Sequence, residues 1–187
     1  MSRPDPVDYA WWLSSRAAGV VAFLLVALSV VLGLSMANRL VRGRNATKLH
    51  EHLALAGLVA IAVHAITLLG DAWLDPGAAG LLVPFAMDHE PLYTGLGLIA
   101  AYLAALLGLS FYARRRIGAK RWRSLHRLTV LVYALGVIHT LGAGSDAEAP
   151  WLRAVLFATG APIVFLFLLR MLPEEPRTAP TPQREAS

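Results

Sequence analysis

Five long apolar segments dominate the chain and restrict the folds open to it. They approach the ~20 residues that an α-helix needs to cross about 30 Å of hydrocarbon, and 57% of the 187 residues are hydrophobic. In hydrocarbon every backbone N–H and C=O must be paired within the structure, which a helix achieves alone. The sequence therefore predicts an all-α, integral membrane bundle of about five transmembrane helices. The predicted spans are residues 17–37, 53–70, 94–113, 128–143 and 154–172.

The connections between these spans differ in charge. Residues 38–48 hold four Lys or Arg residues and residues 114–123 hold six, whereas residues 71–93 hold four Asp or Glu residues and neither Lys nor Arg. Basic connections stay in the cytoplasm, so we predict a multi-pass protein of the plasma (cell) membrane with its N-terminus outside and its C-terminus cytoplasmic. The formal charge of +5 arises in these connections, so membrane lipid is an expected partner and no nucleic-acid binding is expected.

The chain contains no cysteine. This excludes disulfides, thiolate metal sites and haem attached through a Cys-x-x-Cys-His motif. Residues 173–187 are polar and rich in proline, which predicts a disordered cytoplasmic tail after a single membrane domain over residues 1–172. Any redox cofactor must be held without cysteine sulfur, and no glycine-rich phosphate loop is recognisable.

Four histidines in or beside two of the spans form a repeated pattern. His50 and His64 form a His-x13-His pattern, and His126 and His139 form a His-x12-His pattern on a later span that runs in the same direction. Ionisable residues in membrane helices are costly and are therefore functional candidates. On parallel helices these residues can meet at two levels about 20 Å apart. In the predicted topology His50 and His126 lie nearer the cytoplasm, and we call them the inner pair. We call His64 and His139 the outer pair.

Two imidazoles on facing helices can ligate a six-coordinate haem b from both sides. Zinc fits less well, because each level offers two histidines and no Cys or Asp to complete a tetrahedron. The sequence therefore predicts two haems b. Ideal helix geometry brings His64 within about 40° of the His50 direction but leaves His126 and His139 about 140° apart. The second histidine helix must overtwist locally or present its ligands from different flanks.

Three arginines are candidates for binding the haem propionates. Arg16 lies at the outer start of the first span, where anchoring to lipid headgroups is the alternative. Arg123 and Arg127 bracket His126, although membrane topology also accounts for basic residues there.

Two further histidines have weaker claims. His52 is expected to be an interfacial residue on another helix face, but it would replace His50 if the register were shifted. His89, in the sequence MDHEP, is expected to be an ordinary loop residue, with capture of a metal ion as the alternative.

The pattern His-x13-His followed by His-x12-His, with WRSLHRLTVLVYALGVIHTL around the second pair, resembles the ferric reductase-like transmembrane domain. That superfamily includes ferric reductases, NADPH oxidases and the haem-binding subunit of the periplasmic methionine sulfoxide reductase system. The resemblance extends over residues 9–172 and implies that the four histidines ligate two b-type haems. Ferric reductases and NADPH oxidases carry an FAD and NADPH domain after the membrane part, which we do not find here, and the sulfoxide reductase subunit has an additional helix.

The resemblance implies a membrane cytochrome b that passes single electrons from a cytoplasmic reductant, through the inner pair and then the outer pair, to an outward acceptor. Ferric iron, oxygen or a partner protein would be the acceptor, and a separate cytoplasmic flavoprotein reductase or quinol the donor. One alternative is a subunit that relays electrons to a soluble partner reductase. Another is a haem-free transporter or scaffold in which the histidines relay protons. We identify no catalytic side chains, so the chain is expected to act as an electron-transfer component.

The predicted topology can be tested with reporter fusions. Because basic connections remain in the cytoplasm, a fusion within residues 71–93 should report an external location and a fusion within residues 114–123 a cytoplasmic one. The reverse result would exchange the inner and outer assignments of the two histidine pairs.

Overall fold

The computed structural model describes residues 6–172, and these fold into helices joined by short connections. The predicted tail, residues 173–187, lies outside the described residues. Within residues 6–172 no strand is present, so the prediction of an all-α protein is confirmed. The helices are α1 Pro6–Ala37, α2 Arg44–Leu68, α3 Gly77–Leu82, α4 Pro91–Ile117, α5 Ala119–His126, α6 Thr129–Ala143 and α7 Pro150–Met171.

Five helical stretches are long and apolar enough to cross a membrane, as predicted. They are Tyr9–Ala37, Arg44–Leu68, Pro91–Ile117, Ala119–Ala143 and Pro150–Met171. Large apolar side chains stand on their outer surfaces, with Phe157 77% exposed and Leu106 67% exposed. A surface this apolar fits hydrocarbon as its solvent, so the chain is a multi-pass membrane protein.

The helices extend beyond the predicted spans into the basic connection. Helix α4 continues through Arg114, Arg115 and Arg116, which occupy its last turn. Cations are favourable there because the C-terminal end of a helix dipole is negative. The chain then turns at Gly118, whose φ of 89° is accessible mainly to glycine, and α5 begins at once. Hydropathy alone missed this extension because the apolar pattern stops where the charges begin.

Two helix pairs frame the space in which the histidines meet. Helix α1 packs along α2 and also contacts α6 and α7, while α4 packs along α6 and contacts α5 and α2. Buried side chains join α1, α6 and α7, among them Ala27, Tyr133 and Ile163. Helices α2 and α6, which carry three of the four histidines, share no extensive backbone contact. They therefore face each other across a gap that α1 and α4 flank.

The second histidine helix is interrupted between its two histidines. Helix α5 ends at His126 and α6 begins at Thr129. The amides of Leu128, Val130 and Leu131 each bond to the carbonyl three residues earlier. Such bonds tighten a helix from 3.6 to 3.0 residues per turn, so three of them add about 60° and reduce the expected separation from about 140° to about 80°. Local overtwisting, one of the two solutions expected from the sequence, is present at this break.

Ile163 offers a test of this packing, because its side chain is 2% exposed between α1 and α7. Ile163→Ala removes buried methyl groups and leaves a cavity, which should lower the free energy of unfolding by roughly 2–5 kcal/mol. Thermal unfolding in detergent measures the change. Phe165→Ala, at a position 64% exposed on the same helix, is the control and should change the midpoint little. Equal shifts in both variants would contradict the packing.

Candidate functional site

The four helix histidines meet as the two predicted pairs. The imidazole centroids of His50 and His126 are 6.0 Å apart with an angle of 87° between the ring planes. Those of His64 and His139 are 6.4 Å apart at 71°. All four side chains are partly buried, so each level presents two imidazoles across the gap between the two histidine-bearing segments.

These separations match two imidazoles that bind one metal ion from opposite sides. A metal–imidazole bond is about 2.0 Å long, and each nitrogen lies about 1.1 Å from its ring centre, which places the two centroids roughly 6.2 Å apart. Within residues 6–172 no group of three or more His, Cys, Asp or Glu side chains could hold a metal ion. The donor set therefore fits a cofactor metal that needs two axial ligands and fits a tetrahedral zinc site poorly.

Hydrogen bonds orient three of the four imidazoles. His64 Nδ1 lies 2.8 Å from the Ser15 carbonyl, and His50 Nδ1 lies 2.9 Å from the Ser29 carbonyl. His139 Nδ1 lies 3.0 Å from the Tyr93 carbonyl. A carbonyl oxygen only accepts, so Nδ1 carries the proton in these bonds. Nε2 is then left with its lone pair, which is the form that binds metals.

A glycine stands four residues after each accepting carbonyl. A Cβ on Gly19 would lie 3.1 Å from His64 Nδ1, a Cβ on Gly33 would lie 3.1 Å from His50 Cε1, and a Cβ on Gly97 would overlap His139 Nδ1. One turn of helix separates each glycine from its carbonyl residue. The missing side chains let the imidazoles reach carbonyls on α1 and α4. We call each such pair of residues a carbonyl–glycine cradle.

Helix α1 carries two of these cradles at the same spacing as the histidines of α2. Ser15 with Gly19 and Ser29 with Gly33 repeat at the interval that separates His50 from His64 on the antiparallel helix. The serine hydroxyls also lie 3.1 Å from the imidazole Nδ1 atoms. The sequence analysis missed these residues. The repeated Ser-x3-Gly at the histidine spacing was the available signal.

His126 is held differently from the other three histidines. Its Nδ1 is buried and has no hydrogen-bond partner within the described part of the chain. Its ring instead stacks on that of Trp122, with centroids 4.8 Å apart and planes 24° apart. The inner pair therefore has one cradled imidazole, whereas the outer pair has two.

A cavity of about 540 Å³ surrounds the outer pair. Its wall is mainly apolar and includes Phe23, Val26, Gly97 and Gly136. This volume lies within the range of about 300–1,000 Å³ typical of small-molecule and cofactor sites. The outer pair thus opens onto a space that can take an apolar ring system, with the cradle glycine Gly97 on its wall.

Arg16 lines this cavity and already has a carboxylate partner. Its Nε and Nη2 donate to the two oxygens of Asp146, at 2.6 and 2.5 Å. The guanidinium also lies 5.1 Å from the Trp12 ring centre. The ion pair joins α1 to the connection between α6 and α7. Binding of a propionate by Arg16 stays a prediction, and it requires the guanidinium to share or release Asp146.

The other candidate residues lie at the surface or outside the two pairs. Arg123 and Arg127 are exposed near His126, and propionate binding by them also stays a prediction. His52 is exposed, and His50 is the residue that faces His126. His89 stacks edge-on against Trp73 at 5.4 Å, and it belongs to no cluster of metal-ligating side chains within residues 6–172.

Comparison with known families identifies the one to which most of the chain is similar. The family model described as "Ferric reductase like transmembrane component" matches residues 18–137, nearly two thirds of the chain. The matched region contains His50, His64 and His126 and ends just before His139. No curated protein and no solved structure gives a significant match.

The cradle around His139 can be tested at Gly97. A Cβ at this position would overlap His139 Nδ1, so Gly97→Ala should displace the imidazole and break its bond to the Tyr93 carbonyl. Loss of such an orienting partner typically costs about 10–100-fold in metal affinity. We expect a matching loss of affinity for added haem at the outer pair, measured by titration of the purified protein.

Gly108→Ala on the same helix is the control for this substitution. The new Cβ meets only a flexible Leu58 methyl at 3.3 Å, so haem affinity should stay close to that of the unsubstituted protein. Equal haem affinity in Gly97→Ala and Gly108→Ala would refute the cradle.

Proposed function

Since the chain belongs to the ferric reductase-like transmembrane component family, we propose that it is a membrane cytochrome b that carries single electrons across the bilayer. Two haems b, bound by His50 with His126 and by His64 with His139, would supply the one-electron chemistry. The observation that carries this proposal is the meeting of two imidazole pairs, at 6.0 and 6.4 Å, on facing helices.

The role of the chain's own residues is to present Nε2 in a fixed direction. The carbonyls of Ser15, Ser29 and Tyr93 hold the Nδ1 protons of three histidines. Such bonds fix the tautomer and the ring orientation and raise the basicity of the ligating nitrogen. Each pair of imidazoles would supply two ligands to a bound haem iron, which would favour transfer of electrons over binding of a substrate.

The surroundings of the outer pair would limit its contact with water. The cavity wall at the outer pair is mostly apolar, and the outer helix surfaces face lipid. A low dielectric disfavours charge on the imidazoles unless a partner compensates it. Neutral imidazoles with one donor and one free lone pair satisfy this requirement, because the donor is bonded to the backbone and the lone pair is available for the metal.

The two ends of the bundle differ in charge, which supports a direction of transfer. Exposed cations on α5, including Lys120, Arg121 and Arg123, lie close to the inner pair. Such a surface attracts acidic proteins and anionic lipid. We propose that a cytoplasmic flavoprotein reductase, or quinol, delivers electrons at this end, and that an acceptor on the outer face takes them beyond the outer pair.

The proposal predicts two bound haems in each chain. Protein purified in detergent with haem supplied should give a low-spin b-type spectrum when oxidised and when reduced with dithionite. Pyridine haemochrome quantification should give a ratio of two haems to one chain, which should fall towards one in His64→Ala and in His139→Ala. His52→Ala is the matched control and should keep both haems, because His52 is exposed. A folded preparation that binds no haem would contradict the proposal and favour a haem-free transporter or scaffold.

A further inference from the structure

The inner pair differs from the outer pair at one residue, His126. Helix α4 cradles His139 with Tyr93 and Gly97. The two cradles on α1 repeat at a fixed interval. The same interval on α4 leads from Tyr93 and Gly97 to Leu107 and Phe111. Phe111 therefore stands where the other three cradles have glycine. Helix α4 therefore has a carbonyl–glycine cradle for His139 but has no glycine at the equivalent position for His126.

The carbonyl that could have accepted from His126 is occupied by another donor. The Leu107 backbone approaches the His126 imidazole, but His126 Nδ1 makes no well-formed hydrogen bond with it or with any other group of the described chain. The Ser110 hydroxyl donates to this carbonyl at 2.7 Å, and the indole N–H of Trp122 donates to Ser110 Oγ at 3.1 Å. This chain of two bonds connects α5 to α4 and holds the Trp122 ring beside His126.

Stacking on Trp122 takes the place of the missing hydrogen bond. The imidazole and indole planes differ by 24°, with centroids 4.8 Å apart, and Phe111 packs edge-on against the indole at 5.9 Å. A stack restricts the plane of the imidazole, but it does not fix the Nδ1 proton or increase the donor strength of Nε2. His126 is therefore expected to be the weakest ligand of the four.

The backbone around His126 also differs from that around the other three histidines. His126 is the last residue of the eight-residue helix α5, next to the break before α6. His50, His64 and His139 lie inside longer helices that pack along α1 or α4.

From these contacts we infer that His126 is an exchangeable ligand, positioned by Trp122, and that a small neutral π-acceptor molecule can replace it at the inner site. This inference rests on the proposed function, because it requires haem at both levels. With haem bound, His126 Nε2 would give up its place on the iron and the carbon of carbon monoxide would take it. Neither an electron nor a proton is transferred.

The experiment exposes dithionite-reduced protein to carbon monoxide and records difference spectra. In the wild-type protein we expect carbon monoxide to bind at one of the two haems. The double variant His64→Ala with His139→Ala, which keeps only the inner site, should still bind it. The double variant His50→Ala with His126→Ala, which keeps only the outer site, should not.

Trp122 variants test the positioning role. Trp122→Leu removes the stack and should increase carbon monoxide affinity about 10-fold or more, the size of effect expected for loss of an orienting partner. Trp122→Phe keeps an aromatic face for His126 but loses the indole N–H that donates to Ser110, so its affinity should lie between those of the wild-type protein and Trp122→Leu. Both variants should retain the outer haem, whose spectrum reports that the bundle is folded.

The outcomes separate this inference from the proposed function. Two bound haems that both resist carbon monoxide would overturn the inference and leave the proposed function intact, as would binding at the outer site alone. Equal carbon monoxide affinities in Trp122→Leu and the wild-type protein would show that Trp122 does not position His126. Protein that binds no haem would instead refute the proposed function.

Discussion

The hydrogen bond between an imidazole N–H and a helix carbonyl is the constraint on which this bundle depends. A histidine in hydrocarbon must have its donor paired, yet the carbonyls of a neighbouring helix already accept from their own amides and are shielded by side chains one turn away. A glycine four residues later removes that shield. Gly19, Gly33 and Gly97 therefore determine how closely α1 and α4 can approach the histidine helices.

The spacing of the cradles on α1 fixes its register against α2. Helices α1 and α2 are antiparallel neighbours, and Ser15 meets His64 while Ser29 meets His50. The interval between the two cradles equals two heptads and matches the interval between His50 and His64, so the same contact recurs between α1 and α2. A slip of one residue would misalign both cradles together, which makes the register well specified.

Local signals in the sequence were sufficient to predict the spans and the two histidine pairs. The length of an apolar segment and the presence of an ionisable residue within it can be recognised without knowing which helices are neighbours. The cradle residues were not predictable in this way. Ser29 and Gly33 look like ordinary small residues of a membrane helix until α1 is known to pack on α2 in one register. The partner of Arg16 is Asp146, far along the chain, and only the folded chain brings them together. The helical form of the basic connection was missed because charge interrupts hydropathy without interrupting the helix.

The difference between the two pairs follows from the His-x12-His spacing of His126 and His139. If His126 and His139 had the His-x13-His spacing found in α2, both would lie on one face of an unbroken helix and within reach of a repeated cradle on α4. With one residue fewer, the chain must tighten and break between them to bring His126 towards His50. The break places His126 at a helix end, where Trp122, one turn earlier, can stack on its ring. The same geometric correction that completes the inner pair thus leaves its second imidazole without a bonded backbone acceptor, and the two sites become chemically unequal.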